Sequence, residues 1–211
     1  MNFTRPLAVA LRCCSFTIIS MKKKYNKIIL ITAPSGSGKT SIVNHLMKKF
    51  PSLAFSVSAT TRLPRKNEKN GRDYYFISEK EFKEKIHNKE FLEWEMVYEG
   101  KYYGTLKSDI SRIWAENKVP VLDIDVQGAI HVQQQYPVNT IAIFVQAPSV
   151  AELKRRLQKR GSETEETLTS RLSKSTYEMT FKNHFENIII NENFELACKE
   201  AEKIVDDFLK S

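Results

Sequence analysis

Cysteine is scarce in this chain, three in 211 residues. Cys13 and Cys14 are adjacent and Cys198 lies far from both, so there is neither a disulfide framework nor a zinc-ligand spacing, and a reducing compartment is expected. Glycine and proline are also few, seven of each, which excludes collagen-like and low-complexity chains and leaves the composition of a soluble globular protein. The apolar run Leu7 to Ser20 is too short to span a bilayer and is broken by Arg12. His45, His87, His131 and His184 stand singly, the pattern of solvated or packing histidines. No internal repeat of solenoid period is present.

Acidic residues are missing from the first 27 positions, where Arg5, Arg12, Lys22, Lys23, Lys24 and Lys27 hold most of the net charge of +8. The remainder balances 27 basic against 25 acidic residues, so the globular part requires neither nucleic acid nor an anionic membrane as partner. The first twenty residues read as a start-site extension ahead of Met21, with a targeting peptide as the other reading. Residues 1–27 are therefore set apart as an N-terminal extension, disordered or untranslated before Met21, and 28–211 as one domain.

The apolar, β-branched run Ile28 to Thr32 predicts a strand covered on both faces. Ala33-Pro34-Ser35-Gly36-Ser37-Gly38-Lys39-Thr40 follows, and then Ile42, Val43, Leu46, Met47 and Phe50 recur at helical spacing up to Pro51. The alternation returns with a strand at Val119 to Ile124, a helix at Gln127 to Gln135 and a strand at Thr140 to Gln146. Ser149 and Glu152 form a capping box opening a helix to Arg160, and a strand at Ile188 to Ile190 and an amphipathic helix from Phe194 to Leu209 complete the chain. Strands alternating with helices predict a parallel sheet with helices on both faces.

Residues 54–105 break that rhythm. Phe55 to Thr60, Tyr74 to Ile77, Leu92 to Tyr98 and Tyr102 to Thr105 are short strand-like pieces, with one helix opened by the capping box of Ser78 and Glu81. They form a small mixed insert.

Ala33 to Thr40 matches the phosphate-loop pattern G-x-x-x-x-G-K-S/T except at its first glycine, which is Ala33. Alanine there requires a backbone conformation that a Cβ tolerates. Backbone N–H groups around Gly36 to Lys39 would cradle phosphate at the start of a helix, Lys39 would reach the β- and γ-phosphates, and the Thr40 hydroxyl would hold Mg²⁺. The position between a buried strand and an amphipathic helix is the context the motif needs, and it argues against a mere Gly/Ser turn.

A phosphate loop does not name the acceptor. Ser58 to Arg65 carries Arg62 and Arg65 on a loop stiffened by Pro64, and arginine forks recognise phosphate bidentately. Gly71 to Phe76 and Gly100 to Thr105 set phenol hydroxyls beside glycines, as where a ligand lies close to backbone, although tyrosines in short strands also serve packing. Asp123-Ile124-Asp125 ends a predicted strand, where open α/β sheets place their sites. A carboxylate so placed orients Mg²⁺ or its waters in phosphate-loop enzymes, solvation in a turn being the plain alternative.

The stretches APSGSGKT, SVSATTRLPR, NGRDYYF, EFLEW, YYGT, VLDIDVQG and RGSETEE, in this order and spacing, resemble the successive signatures of the guanylate kinase family, from about Ile28 to the C-terminus. Ala33 corresponds to the bacterial form of the loop. The resemblance implies a cytoplasmic enzyme that transfers the γ-phosphoryl group of ATP to GMP, with dGMP as a further substrate. It implies Mg²⁺ held by Thr40 and Asp123. Arg62, Arg65, Tyr74 and Tyr103 would hold the GMP phosphate, and Ser58, Glu93, Thr105 and Asp125 would read guanine, with Asp123 beside them. Arg156, Arg160 and Arg171 would act with Lys39 on the donor phosphates and transferring group, and Asn191 would touch adenine. The chemistry agrees, because guanine presents N1–H and an exocyclic amine on one edge and a carboxylate is acceptor-only.

The expected fold is a phosphate-loop α/β core (28–53, 107–152 and 181–211) with a GMP-binding insert at 54–106 and a helical lid at 153–180. Two other readings remain in view: a non-catalytic interaction module of the same resemblance, and a kinase for another nucleoside monophosphate. Retention of Lys39, Thr40 and the lid arginines opposes the first, and Glu93 opposes the second. Monomer and homo-oligomer are both left open.

Overall fold

The structure, a computed structural model, describes residues 26–159 and 165–211. The N-terminal extension up to residue 25 and the RGSET part of the lid signature, Arg160 included, lie outside the described residues. Strand β1 (Ile28–Thr32) is buried at every position, as a strand flanked on both faces must be, and each of its aliphatic side chains contributes about 1.5–3 kcal/mol by leaving water. It is the middle strand of a five-stranded parallel sheet completed by β2 (Leu53–Phe55), β7 (Val119–Asp123), β8 (Thr140–Gln146) and β9 (Asn187–Ile190), in the order β2-β7-β1-β8-β9.

One face of this sheet is covered by α1 (Lys39–Lys49) and the C-terminal α7 (Phe194–Lys210), through Ile42, Leu46, Ala201 and Val205. The other is covered by α3 (Lys107–Ala115) and α4 (Val126–Gln135), through Ile110, Val126, Ala129 and Val132. Because β1 has β7 on one side and β8 on the other, the loop leaving its C-terminal end opens where the chain's crossovers diverge, the usual place for a ligand in such sheets.

The insert is a second sheet of order β4-β3-β6-β5, made of β3 (Ala59–Thr60), β4 (Tyr75–Phe76), β5 (Phe91–Tyr98) and β6 (Lys101–Leu106). Its own small core is Ala59, Phe82 and Phe91, where the Phe82 and Phe91 rings stack at 4.3 Å between centroids. Phe82 comes from α2 (Glu79–His87), whose N-cap Ser78 accepts from the Glu81 N–H.

Three details depart from the expectations. The run Phe55 to Thr60 is two strands in two sheets: Leu53–Phe55 pairs with β7, and Ala59–Thr60 pairs with β4 and β6. The backbone crosses from core to insert at Ser56 and Val57, whose hydroxyl and N–H both donate to buried Asp109. Helix α3 was not anticipated, and its N-cap position, Leu106, offers no side-chain acceptor. The Ser149 box is half made: Ser149 accepts from the Glu152 N–H at the start of α5 (Val150–Lys159), but the Glu152 carboxylate turns to Arg155 and Arg156.

Candidate active site

Between β1 and α1 the chain bends through Gly36 and Gly38, both at positive φ (91° and 95°), a conformation that disfavours any side chain. Among the described residues the non-glycine positive-φ positions are Lys89 and Asn117, so Ala33 takes ordinary backbone geometry and the missing motif glycine costs the loop nothing there. A Cβ at Gly38 would stand 2.3 Å from the Asn191 amide nitrogen. That contact explains Asn191. It is buried, its amide donates to the Ser37 carbonyl at 2.7 Å, and its backbone N–H donates to Gln146 at 2.8 Å.

Arg156 joins Asn191 behind the loop, donating to the Asn191 carbonyl at 2.8 Å and to Glu152 at 2.7 Å. Both sequence candidates thus brace the loop from outside the cleft. Inside it, the Lys39 ammonium pairs with Asp123 at 2.5 Å and donates to the Ile124 carbonyl at 3.0 Å. Burial works against the charge on Lys39, but the adjacent Asp123, with Asp125 and Glu178 further off, outweighs it and holds the pKa above the ordinary lysine value.

The opposite wall is the insert. Glu93 and Glu95 lie two apart on β5 and so share a face; their cross-strand partners on β6 are Thr105 and Tyr103. Glu93 is only 8% exposed and accepts from the Thr105 hydroxyl at 2.6 Å. Burial pushes its pKa up to about 7, with Asp125 and Glu95 adding to the shift and the Thr105 hydrogen bond opposing it. Asp125 caps α4, accepting from the Gly128 N–H at 2.9 Å.

Glu95 is likewise raised to about 7, by burial first and then by Asp125, with which it shares a hydrogen bond. Tyr74 and Tyr103 meet edge to face at 5.9 Å. The Arg62 guanidinium lies 4.8 Å from the Tyr74 ring and is held end-on by Glu68, at 2.6 and 2.7 Å.

The third side is α6 (Glu165–Thr180). Arg171, Lys174, Ser175 and Glu178 recur at helical spacing. Ser175 donates to the Ser35 carbonyl at 3.2 Å, and the Glu178 carboxylate accepts the Ser35 N–H. Burial raises the Glu178 pKa, with Lys174 and Lys39 opposing the shift.

One cleft therefore gathers Ala33 to Thr40, Ser58, Arg65, Tyr74, Glu93, Tyr103, Asp123, Asp125 and Arg171. Thr105 touches it through Glu93. Sequence reasoning missed Glu95, Lys174 and Glu178, which also line it, and Glu68. The period-2 spacing from Glu93 was the signal for Glu95, and the helical spacing from Arg171 for Lys174 and Glu178.

No group of three or more His, Cys, Asp or Glu side chains able to hold a metal occurs among the described residues. Thr40 and Asp123 are nonetheless hard oxygen donors of the kind that suits magnesium, an ion that takes few protein ligands beside phosphate and water oxygens. The Ser37 hydroxyl is buried in the loop without a hydrogen-bond partner, which fits a loop built to receive further oxygen atoms. Among the described residues no helix is long and apolar enough to cross a membrane.

A family model described as "Guanylate kinase" matches residues 25–208. A guanylate kinase of Bacteroides fragilis is 44% identical over 183 residues, covering 87% of this chain and 90% of that protein. One of Thermotoga maritima is 44% identical over 179 residues, covering 85% of this chain and 86% of that protein. Among solved structures, the guanylate kinase of Anaplasma phagocytophilum superposes with a TM-score of 0.70 at 28% identity, covering 86% of this chain and 85% of that one. The phosphate loop, the buried carboxylate facing it and the relatives aligned over most of their lengths agree: the chain belongs to the guanylate kinase family.

Proposed function

We propose that this enzyme transfers the γ-phosphoryl group of ATP to GMP, and to dGMP, in cytoplasmic purine nucleotide supply. The observation that carries the proposal is the buried Glu93, fixed by Thr105 on the wall across from the phosphate loop. Its carboxylate matches the N1–H and amine edge of guanine. Adenine, with an unprotonated N1, would leave a buried acceptor facing an acceptor, at a cost of about 1–3 kcal/mol.

Ser58 and Asp125 would complete the base pocket. Arg62, Arg65, Tyr74 and Tyr103 would take the GMP phosphate. Lys39 and the loop N–H groups would hold the ATP phosphates, and Arg171, with Arg160 of the lid, would neutralise charge on the group in flight. In this reading Arg156 and Asn191 support the donor site by fixing the Ser37 carbonyl.

Thr40 and Asp123 would hold Mg²⁺, which when bound shields the phosphate oxygens. Lys39 would then exchange its bond to Asp123 for the nucleotide phosphates. The transfer is a displacement between phosphates and needs alignment, charge neutralisation and exclusion of water more than a general base. The insert 54–106 and the lid 153–180 would close over the two nucleotides.

A coupled assay of ATP consumption over GMP, AMP, UMP and CMP tests the reading. Turnover with GMP at least about a hundredfold more efficient than with the others is the expected result. Comparable turnover of any other monophosphate would overturn it.

A further inference from the structure

The loop that joins β3 to β4 contains an acid that no catalytic scheme for the site requires. Glu68 is exposed in sequence terms, among Arg65, Lys66 and Lys69, yet it is among the most tightly held carboxylates in the structure. Its two oxygens take the two terminal nitrogens of Arg62, at 2.6 and 2.7 Å. One of them also accepts the Arg65 backbone N–H at 2.8 Å, while the Glu68 N–H donates to the Arg65 carbonyl at 3.0 Å. A single side chain thus ties together both arginines placed at the acceptor phosphate. Hydrogen bonding to Arg62 is the main cause that holds the Glu68 carboxyl down at about 2.

The guanidinium is held on other sides as well. Tyr74 and Phe76 lie against it at 4.8 and 5.5 Å from their ring centroids, and Nη1 donates as well to the Leu63 carbonyl at 3.1 Å. The nearby Tyr103 hydroxyl adds to what keeps it charged. Of the five N–H groups of an arginine, Glu68 takes one on each terminal nitrogen and Leu63 the second on Nη1. Nε–H and the remaining Nη2–H lie side by side on one edge, and that edge is itself a fork of the right span for two phosphate oxygens.

We propose that Glu68 is a positioning residue: it occupies the end-on fork of Arg62 and thereby presents the side-on fork, with Tyr74 and Tyr103, to the acceptor phosphate. The inference rests on the acceptor-site reading given above. The competing role for the same contact is a stand-in, in which the Glu68 carboxylate fills the phosphate's place and has to be displaced. The two differ in sign. Removing a positioning residue weakens the acceptor, whereas removing a stand-in strengthens it.

The test is steady-state kinetics of the full chain with Glu68→Gln, Glu68→Asp, Arg62→Ala and the Arg62→Ala/Glu68→Gln pair. In Glu68→Gln the KM for GMP should rise about tenfold or more with the KM for ATP within about twofold, and Glu68→Asp should recover part of the loss. In the Arg62→Ala background the Glu68→Gln change should have almost no further effect on GMP, because a residue acting through Arg62 has nothing left to act on. A lower KM for GMP in Glu68→Gln, an unchanged one, or full additivity in the double variant would each overturn the proposal. Absence of GMP turnover in the unaltered chain would instead refute the acceptor-site reading itself.

Discussion

Gly128 lies in the first turn of α4, where alanine would ordinarily be favoured by about 1 kcal/mol. Here a Cβ would stand 2.8 Å from Glu93 Oε2 and 3.3 Å from Asp125 Oδ1. Ordinary contact needs about 3.4 Å or more, so Gly128→Ala has to drive the Glu93 carboxylate back by roughly half an ångström. Glu93 cannot simply swing clear, since its other oxygen is tied to Thr105 at 2.6 Å and the side chain is buried. A misplacement of that size at the proposed base-reading group should lower kcat/KM for GMP about tenfold or more, near 1.4 kcal/mol of transition-state stabilisation.

The ATP site is not involved, so the KM for ATP should stay within about twofold. The melting temperature should hold or rise slightly, because helix propensity gains what the contact loses. Kinetics with GMP varied and ATP saturating, then the reverse, together with a thermal melt, measure all three. A Gly128→Ala protein that keeps its GMP efficiency would mean that Glu93 does not read the base from the position seen here.

Replacing Glu93 itself by Gln turns an acceptor toward a guanine donor and should lower kcat/KM for GMP by about 30- to 1,000-fold, roughly 2–4 kcal/mol, with ATP affinity unchanged; equal loss toward both nucleotides would count against it. Lys39→Ala should abolish phosphoryl transfer while the melting temperature stays within a few degrees, since the partners of Lys39 are Asp123 and the Ile124 carbonyl rather than the core; turnover near that of the unaltered chain would remove Lys39 from the mechanism.

The core was legible because its signals are local. Ile28 to Thr32 reads as a two-faced strand and is one, and the capped and periodic helices fall where expected within a few residues. The loop's geometry was legible for the same reason, as the turns at Gly36 and Gly38 and the helix that starts at Lys39 follow from residues adjacent in sequence. What could not be read is what depends on distant partners. Nothing near Leu106 announces α3, because its start has no polar cap and the helix is held by Ile110 and Ile113 in the core.

Asn191 and Arg156 show the same limit from the other side. Their residue types suit nucleotide contact, but the Ser37 carbonyl and the glycine at 38 stand next to them only in three dimensions. Glu68 is the sharpest instance. An acid among lysines and arginines reads as a solvated loop charge, and only the folded loop shows that its two oxygens match the end of Arg62.

The burial of Glu93 also makes the stability of the fold depend on pH. Its carboxyl moves from 4.5 to about 7 on folding, mainly through burial. Between those values the folded chain keeps a proton that the unfolded chain has released, so stability falls as pH rises through that window. Glu95 shifts the same way. Glu68 and Glu152 are held low, at about 2, so what they contribute is present above 4.5, is lost only in stronger acid and does not tilt the window.

For Glu93 alone the shift corresponds to roughly 3 kcal/mol at its limit, or on the order of 10 °C in melting temperature for a domain of this size. The unliganded protein should therefore melt at a higher temperature at pH 5.5 than at pH 8. GMP binding should run the other way, tightening as pH rises from 6 to 8, since the acceptor form of Glu93 is the ionised one. Thermal melts with and without GMP across that range measure both slopes, and Glu93→Gln should reduce the first to the part that Glu95 carries and abolish the second. A melting temperature that is flat or rising in the unliganded protein, or one whose slope the substitution leaves undiminished, would show that Glu93 does not carry the buried proton.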